Sequence, residues 1–240
     1  MSARARLFEI DGAAKRFGGI AAIDGVSFSV AENELVCVIG PNGAGKSTLL
    51  NVMSGTLPPD AGTLRFRGES ILGQPPHAFA RRGIVRKFQG ANVFPWMTVR
   101  ESLEVAGLGV ALASGRPPPA VDTVLATIKL GHQANRMGSM CSHGQRQWLE
   151  VGMTLMSRPR LLLLDEPTAG MTAIGTAEMA ELVLALAGEM AVVVIEHDMS
   201  FVRRLACRTV VMHQGRLIAD GSFETVSQDP RVRDAYLGRA

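Results

Sequence analysis

Cysteine is scarce in this chain of 240 residues, with three in all. Cys37, Cys141 and Cys207 are odd in number, far apart in sequence and outside any Cys-x-x-Cys or Cys/His spacing. Neither a disulfide framework nor a zinc site is supported, and reduced thiols in the cytosol are the plain reading. Long apolar runs are also missing. The longest weakly polar stretch, Val105 to Ala113, falls short of the roughly 18 residues that a membrane span needs. The opening residues, MSARARLFEI, carry no apolar segment behind their charges, so no signal peptide is expected. Nor does one sign of charge dominate. Lys and Arg number 25 against 22 Asp and Glu, a net charge of +3 that is scattered along the chain. A nucleic-acid binder concentrates its charge in a patch or stripe, so no nucleic-acid partner is expected. The densest basic cluster, Arg81, Arg82, Arg86 and Lys87, reads as a solvated face. No repeat or low-complexity segment is visible beyond Pro117-Pro118-Pro119. With 47% hydrophobic and 20% charged residues, the chain is globular and long enough to bury a sizeable core.

The most informative stretch is Gly40-Pro41-Asn42-Gly43-Ala44-Gly45-Lys46-Ser47-Thr48. An apolar run, Leu35 to Ile39, precedes it, and Leu49 to Met53 follows. Strand, glycine-rich turn and helix in that order fit the G-x-x-x-x-G-K-[ST] phosphate loop. Glycines let backbone N–H groups wrap phosphate oxygens, and the helix N-terminus adds unpaired N–H groups and a positive dipole end. Lys46 can reach the β- and γ-phosphates, and the Ser47 hydroxyl can ligate Mg²⁺. An ordinary glycine turn is the alternative; the flanking strand and helix favour a nucleotide.

Around this loop the sequence predicts alternating strands at Leu7 to Ile10, Val26 to Val30 and Thr63 to Arg67, and a further strand at Gly83 to Gln89. Thr98 with Glu101 forms a capping box that opens a helix, and Val121 to Leu130 reads as another. Ser142 caps a third helix. Leu161 to Leu164 and Val192 to Ile195 are wholly apolar, as strands of a two-sided parallel sheet are. The expected class is α/β, with a mixed sheet core, an antiparallel β subdomain and an inserted helical subdomain. The core takes residues 1–89 and 157–240, and the insert residues 90–156.

Buried strands end in Gln89, in Asp165-Glu166 and in His197. The C-terminal strand ends of such a sheet share one edge, where ligands bind. Lys46, Ser47, Gln89, Asp165, Glu166 and His197 are therefore expected to converge on one γ-phosphate. In that arrangement Asp165 holds Mg²⁺ directly or through water, and Glu166 takes the proton from an attacking water. His197 contacts the γ-phosphate, and Gln89 touches metal and water.

With these residues in this order, the chain resembles the ATP-binding subunit of an ABC transporter, a P-loop NTPase, over nearly its whole length. The resemblance rests on the phosphate loop GPNGAGKST, a glutamine loop at Gln89, the signature CSHGQ at Cys141 to Gln145, the Walker B run LLLLDE at Leu161 to Glu166 and a switch histidine at His197. It implies two subunits sandwiching two ATP molecules head to tail, each phosphate loop facing the other subunit's signature. Ser142, Gly144 and Gln145 would then meet the partner's nucleotide. Phe17, ahead of the phosphate loop, matches the family's adenine-stacking aromatic. RFGGIAAIDGVSF, EPTAGM, VVVIEHDMSFV and PRVRDAYLGR look like the ATPases of branched-chain amino acid and related amide importers. Within that group SHGQRQWLEVGM is similar to the urea-uptake ATPase, which points to urea or short-chain amides as cargo, with branched-chain amino acids as the alternative. The implied partners are a second ATPase subunit, homo- or heteromeric, two permease subunits at the cytoplasmic face of the membrane and, indirectly, an extracytoplasmic binding protein. Phe94 and Trp96 flank the groove expected to receive a permease helix. A soluble ATPase acting on nucleic acid is the competing class, disfavoured because such proteins carry two cassettes or a long coiled-coil insertion. The usual signature is Leu-Ser-Gly-Gly-Gln; Cys141 and His143 depart from it, and His143 reads as a tolerated substitution. Met171-Thr172 stands where many relatives carry an aspartate.

Overall fold

Alternating and apolar segments become ten strands and nine α-helices among the described residues, which in this computed structural model are 5–87, 93–114 and 117–237. The chain opens with β1 (Arg6–Phe17), β2 (Ile20–Ala31) and β3 (Leu35–Ile39), followed by α1 (Lys46–Met53). Next come β4 (Ala61–Phe66), β5 (Glu69–Ser70), α2 (Pro76–Arg82) and β6 (Ile84–Lys87). Three helices follow: α3 (Val99–Ser114), α4 (Val121–Thr127) and α5 (His143–Leu155). Then β7 (Leu161–Asp165), α6 (Ala173–Ala187), β8 (Ala191–Ile195) and α7 (Met199–Leu205) alternate. The chain closes through β9 (Arg208–His213), β10 (Arg216–Ser222), α8 (Phe223–Gln228) and α9 (Pro230–Leu237).

A six-stranded sheet in the order β10-β9-β3-β8-β7-β6 forms the centre, parallel throughout except for β10. Every residue of β3, β7 and β8 is buried, as two covered faces require. Successive side chains point to opposite faces. Leu35, Cys37 and Ile39 join a core shared with the helices, including Leu103, Leu125, Ile128 and Leu149. Val36 and Val38 join a second core under the antiparallel sheet β2-β1-β4-β5, with Phe8, Ile10 and Leu64. The sheet thus lies between the two packing layers, and Ala44 of the loop after β3 joins the second.

β1 is longer than the Leu7 to Ile10 alternation suggests. Its pairing with β2 shifts register between Ile10 and Ala13, around Gly12 at φ 60°. A bulge moves the side chains to the other face, so strict alternation stops while the strand continues. The Thr98–Glu101 capping box is present: Glu101 N–H donates to Thr98 Oγ1 at 3.1 Å, and Thr98 N–H donates to a Glu101 carboxylate oxygen at 2.7 Å.

The basic cluster is not a solvated face throughout. Arg81 is exposed, but Arg86 and Lys87 are enclosed in β6. Lys87 Nζ pairs with Glu150 of α5 at 2.9 Å, both side chains at most 4% exposed. Charge runs read as surface only while each charge lacks a partner, and this partner lies 63 residues away in sequence (150 − 87). Breaking a buried ion pair by removing one member costs about 3–5 kcal/mol. Lys87→Ala is therefore expected to destabilise the protein by about that amount in urea denaturation. Loss below about 1 kcal/mol would show that the pair does not carry the contact between core and α5.

The cysteines are also closer than their spacing suggests. Cys37 Sγ and Cys207 Sγ lie 3.4 Å apart as free thiols, because β3 and β9 are parallel neighbours.

Candidate active site

The loop after β3 curls because its glycines permit it. A Cβ on Gly40 would lie 2.2 Å from the Met212 carbonyl oxygen, and one on Gly45 would lie 2.2 Å from that of Ala22. Both glycines also have positive φ, 154° and 100°. Position and conformation therefore both demand glycine there. Gly45 then caps α1, aiming the first N–H groups of that helix into the curl. Lys46 is buried, and its ammonium donates to the Gly40 and Pro41 carbonyls at 2.7 and 3.0 Å. Burial lowers its pKa, while Glu166 and Asp165 pull the other way. Lys46, Asp165 and Glu166 thus share one electrostatic neighbourhood. The α9 helix closes on the same loop: burial pushes the Tyr236 hydroxyl up to about 12, against the backbone of Gly40, which lowers it.

Asp165 ends β7, buried to 2% exposure. One carboxylate oxygen, Oδ2, accepts from Arg86 at 2.8 Å; the other, Oδ1, is buried and has no hydrogen-bond partner. A buried carboxylate oxygen without a donor suits a hard cation or its water. Among the described residues no three His, Cys, Asp or Glu side chains converge as a metal cage.

Glu166 follows in the left-handed region, at φ 45°. A non-glycine residue held there stores strain and commonly sits at a functional position. Its N–H donates to the Ile195 carbonyl at 2.9 Å, and Ala169 N–H donates to its carbonyl at 3.1 Å. The side chain stays partly open, with Glu166 Oε1 and His197 Nδ1 3.4 Å apart.

Glu196 joins these two loops and carried no signal in the sequence beyond its place at a strand end. It is fully buried and accepts from Thr168 N–H at 3.0 Å and Thr168 Oγ1 at 2.6 Å on one oxygen. Its other oxygen accepts from His197 N–H at 3.1 Å and Asp198 N–H at 3.4 Å. One carboxylate thereby fixes the segment after Glu166 relative to His197.

Phe17 ends β1 and is 52% exposed, an open aromatic face. It pairs with Ile20 across a hairpin whose second strand contacts Gly45 through Ala22. The sequence-predicted Gln89 lies outside the described residues.

The signature stands apart. Ser142 Oγ accepts from Gln145 N–H at 3.3 Å while Gln145 Oε1 accepts from Ser142 N–H at 2.9 Å, a capping box that opens α5. A Cβ on Gly144 would meet nothing within 4 Å. These residues line a cavity of about 510 Å³ together with Met171, Thr172 and Ile174. Among the described residues no hydrogen bond or ion pair joins the signature to Gly40–Thr48. His143 is tied in: its Nε2 lies 2.9 Å from the Ala169 carbonyl oxygen, so that nitrogen carries the proton and donates. Thr172 caps α6, accepting from Gly175 N–H at 3.2 Å.

A phosphate loop, a carboxylate pair at the next buried strand end, a histidine beside it and a separate capped signature helix define an ABC-type ATPase, and the chain belongs to the ABC transporter family, whose sequence pattern matches residues 23–169. The pattern of the branched-chain amino acid ATP-binding cassette transporter matches residues 216–240. The chain is 39% identical to the high-affinity branched-chain amino acid transport ATP-binding protein BraF of Pseudomonas aeruginosa, over 98% of each. It is 37% identical to LivG of Escherichia coli, of the same description, again over 98% of each. Among solved structures, a nucleotide-free ATP-binding cassette from an ABC transporter superposes with a TM-score of 0.85 at 32% identity, covering 96% of this chain and 98% of that one. A cassette in its ADP conformation gives 0.84 at 31% identity, covering 97% and 99%. The fold is that of the ABC P-loop ATPases, and the chain is an ATP hydrolase of that type.

Proposed function

We propose that this chain is the motor of an ABC importer of the branched-chain amino acid type, hydrolysing ATP at a site shared between two subunits. The observation that carries this reading is the separation of an assembled phosphate site, holding Lys46, Asp165, Glu166 and His197, from an open, capped signature on the same chain. Gly40 to Thr48 cradle the phosphates, with Lys46 as the charge on the β- and γ-oxygens and Phe17 against the adenine. Glu166 accepts the proton of the attacking water, and His197 orients that water and the γ-phosphate. Ser47, Asp165 and Gln89 hold Mg²⁺, which neutralises charge on the phosphate oxygens when bound. Ser142, Gly144 and Gln145 complete the other subunit's site at the positive end of α5.

The helices of residues 90–156 move with closure against the core of residues 1–89 and 157–240. Among the described residues no helix is long and apolar enough to cross a membrane. In this reading the chain works at the cytoplasmic face through two permease subunits, fed by an extracytoplasmic binding protein. Phe94 and Trp96 are 38% and 82% exposed, which supports them as permease contacts over insert core.

The names of the relatives support branched-chain amino acids as cargo over urea or short-chain amides. The second reading keeps one observation, the SHGQRQWLEVGM stretch. Both are tested in proteoliposomes holding the assembled complex. Leucine with its binding protein is expected to stimulate ATP hydrolysis. Stimulation by urea or acetamide alone would move the cargo to the second reading, and stimulation by DNA or RNA would remove the transport reading.

A further inference from the structure

Arg86 lies inside the site but belongs to none of the motifs. It sits in β6, the edge strand of the central sheet, opposite Leu163 of β7. Asp165 is two residues beyond Leu163 and so shares its face of the sheet. The Arg86 guanidinium uses both terminal nitrogens. Nη2 donates to Asp165 Oδ2 at 2.8 Å, and Nη1 donates to Asn51 Oδ1. The Arg86 side chain is 10% exposed and that of Asp165 1%. Asn51 belongs to α1, the helix that begins with Lys46. One planar cation therefore ties the strand that leads towards Gln89 to the metal-site carboxylate and to the phosphate-loop helix.

From this geometry we propose that Arg86 is a positioning residue of the ATP site, holding Asp165 by one oxygen so that the other faces the metal position. A carboxylate held at Oδ2 by a guanidinium that Asn51 fixes in turn must break that bond to rotate, which favours one direction for Oδ1, the oxygen with no partner. The grip also compensates the charge of a carboxylate taken out of water. Asn51 fixes the guanidinium in turn and couples its position to α1. Groups that orient a metal ligand in this way change metal affinity or activity by about 10–100-fold when removed. The inference rests on the Mg²⁺–ATP reading of the site, and its test separates the two.

Binding of Mn²⁺ is measured by electron paramagnetic resonance in the presence of a non-hydrolysable ATP analogue. Binding of the analogue alone is measured in EDTA. The wild-type chain is expected to bind both. Arg86→Ala is expected to weaken Mn²⁺ binding by about 10–100-fold while leaving metal-free analogue binding within about threefold, because the phosphate loop is untouched. Arg86→Lys, which reaches one acceptor but not two, is expected to fall between. Asn51→Ala, which removes the outer anchor and leaves the ion pair, is expected to shift Mn²⁺ affinity in the same direction by less. If Arg86→Ala does not fold, Arg86→Lys and Asn51→Ala carry the comparison. Mn²⁺ affinity within about twofold of wild type in the variants would overturn the proposal, as would equal loss of metal-bound and metal-free binding, which marks a purely structural role. A wild-type chain that binds neither analogue nor Mn²⁺ would overturn the ATP-site reading itself.

Discussion

Replacing Glu166 by glutamine is expected to cut ATP hydrolysis by about 10²–10⁴-fold while ATP binding survives. The two side chains have the same shape, so the strained backbone at φ 45° and its bonds to Ile195 and Ala169 are kept. What goes is the capacity to take a proton. The geometry singles out this residue among the carboxylates. Glu196 spends both oxygens on backbone and hydroxyl donors. Asp165 is clamped by Arg86. Glu166 alone of the three stays partly open, 3.4 Å from His197. Single-turnover hydrolysis checks the prediction, together with retention of labelled ATP on the protein. Full turnover in Glu166→Gln would remove Glu166 as the base.

The second large effect is expected at Lys46. Lys46→Ala should weaken ATP binding by at least about 10–100-fold, since a hydrogen bond to a charged group contributes about 1.5–3 kcal/mol. The ammonium already lies inside the curl of the loop, on the Gly40 and Pro41 carbonyls. A bound phosphate would replace those neutral acceptors with charged ones. Burial disfavours the ammonium, and Asp165 and Glu166 only partly offset this, so a polyphosphate is a stronger partner than the loop itself. Equilibrium binding of a fluorescent ATP analogue checks it, and wild-type affinity in Lys46→Ala would contradict the assignment.

Much of this site was legible in the sequence because its parts are local. Gly40 to Thr48 announces itself by spacing, and Ser142 with Gln145 forms a cap over three residues. The apolar runs before Asp165 and His197 mark strands whose ends must share a sheet edge. What escaped was long-range polar pairing. Arg86 and Lys87 look like surface charge until β6 is laid beside β7 and α5. Glu196 looks like one more strand-end carboxylate until Thr168 arrives from another loop. His143 reads as tolerated, yet its ring donates to Ala169 in the loop after Glu166, a contact no spacing rule reveals. The β1 boundary failed for a different reason, since a bulge near Gly12 breaks alternation without ending the strand. The cargo left no mark in the site chemistry, because nothing in an ATPase site touches it.

In the proposed arrangement Gly40 to Thr48 supplies half a site and Ser142 to Gln145 the other half, on a second subunit. Two inactive variants test it directly. Lys46→Ala damages the phosphate loop and leaves the signature intact. Gly144→Asp, at a position where a side chain meets nothing within 4 Å, leaves the phosphate loop intact and sets a negative charge against the partner's γ-phosphate. Each alone should be unable to hydrolyse ATP. Mixed, they should regain turnover, because one of the two shared sites in the mixed dimer is built from undamaged halves. A mixture as inactive as its components, with mixed dimers present, would contradict the account.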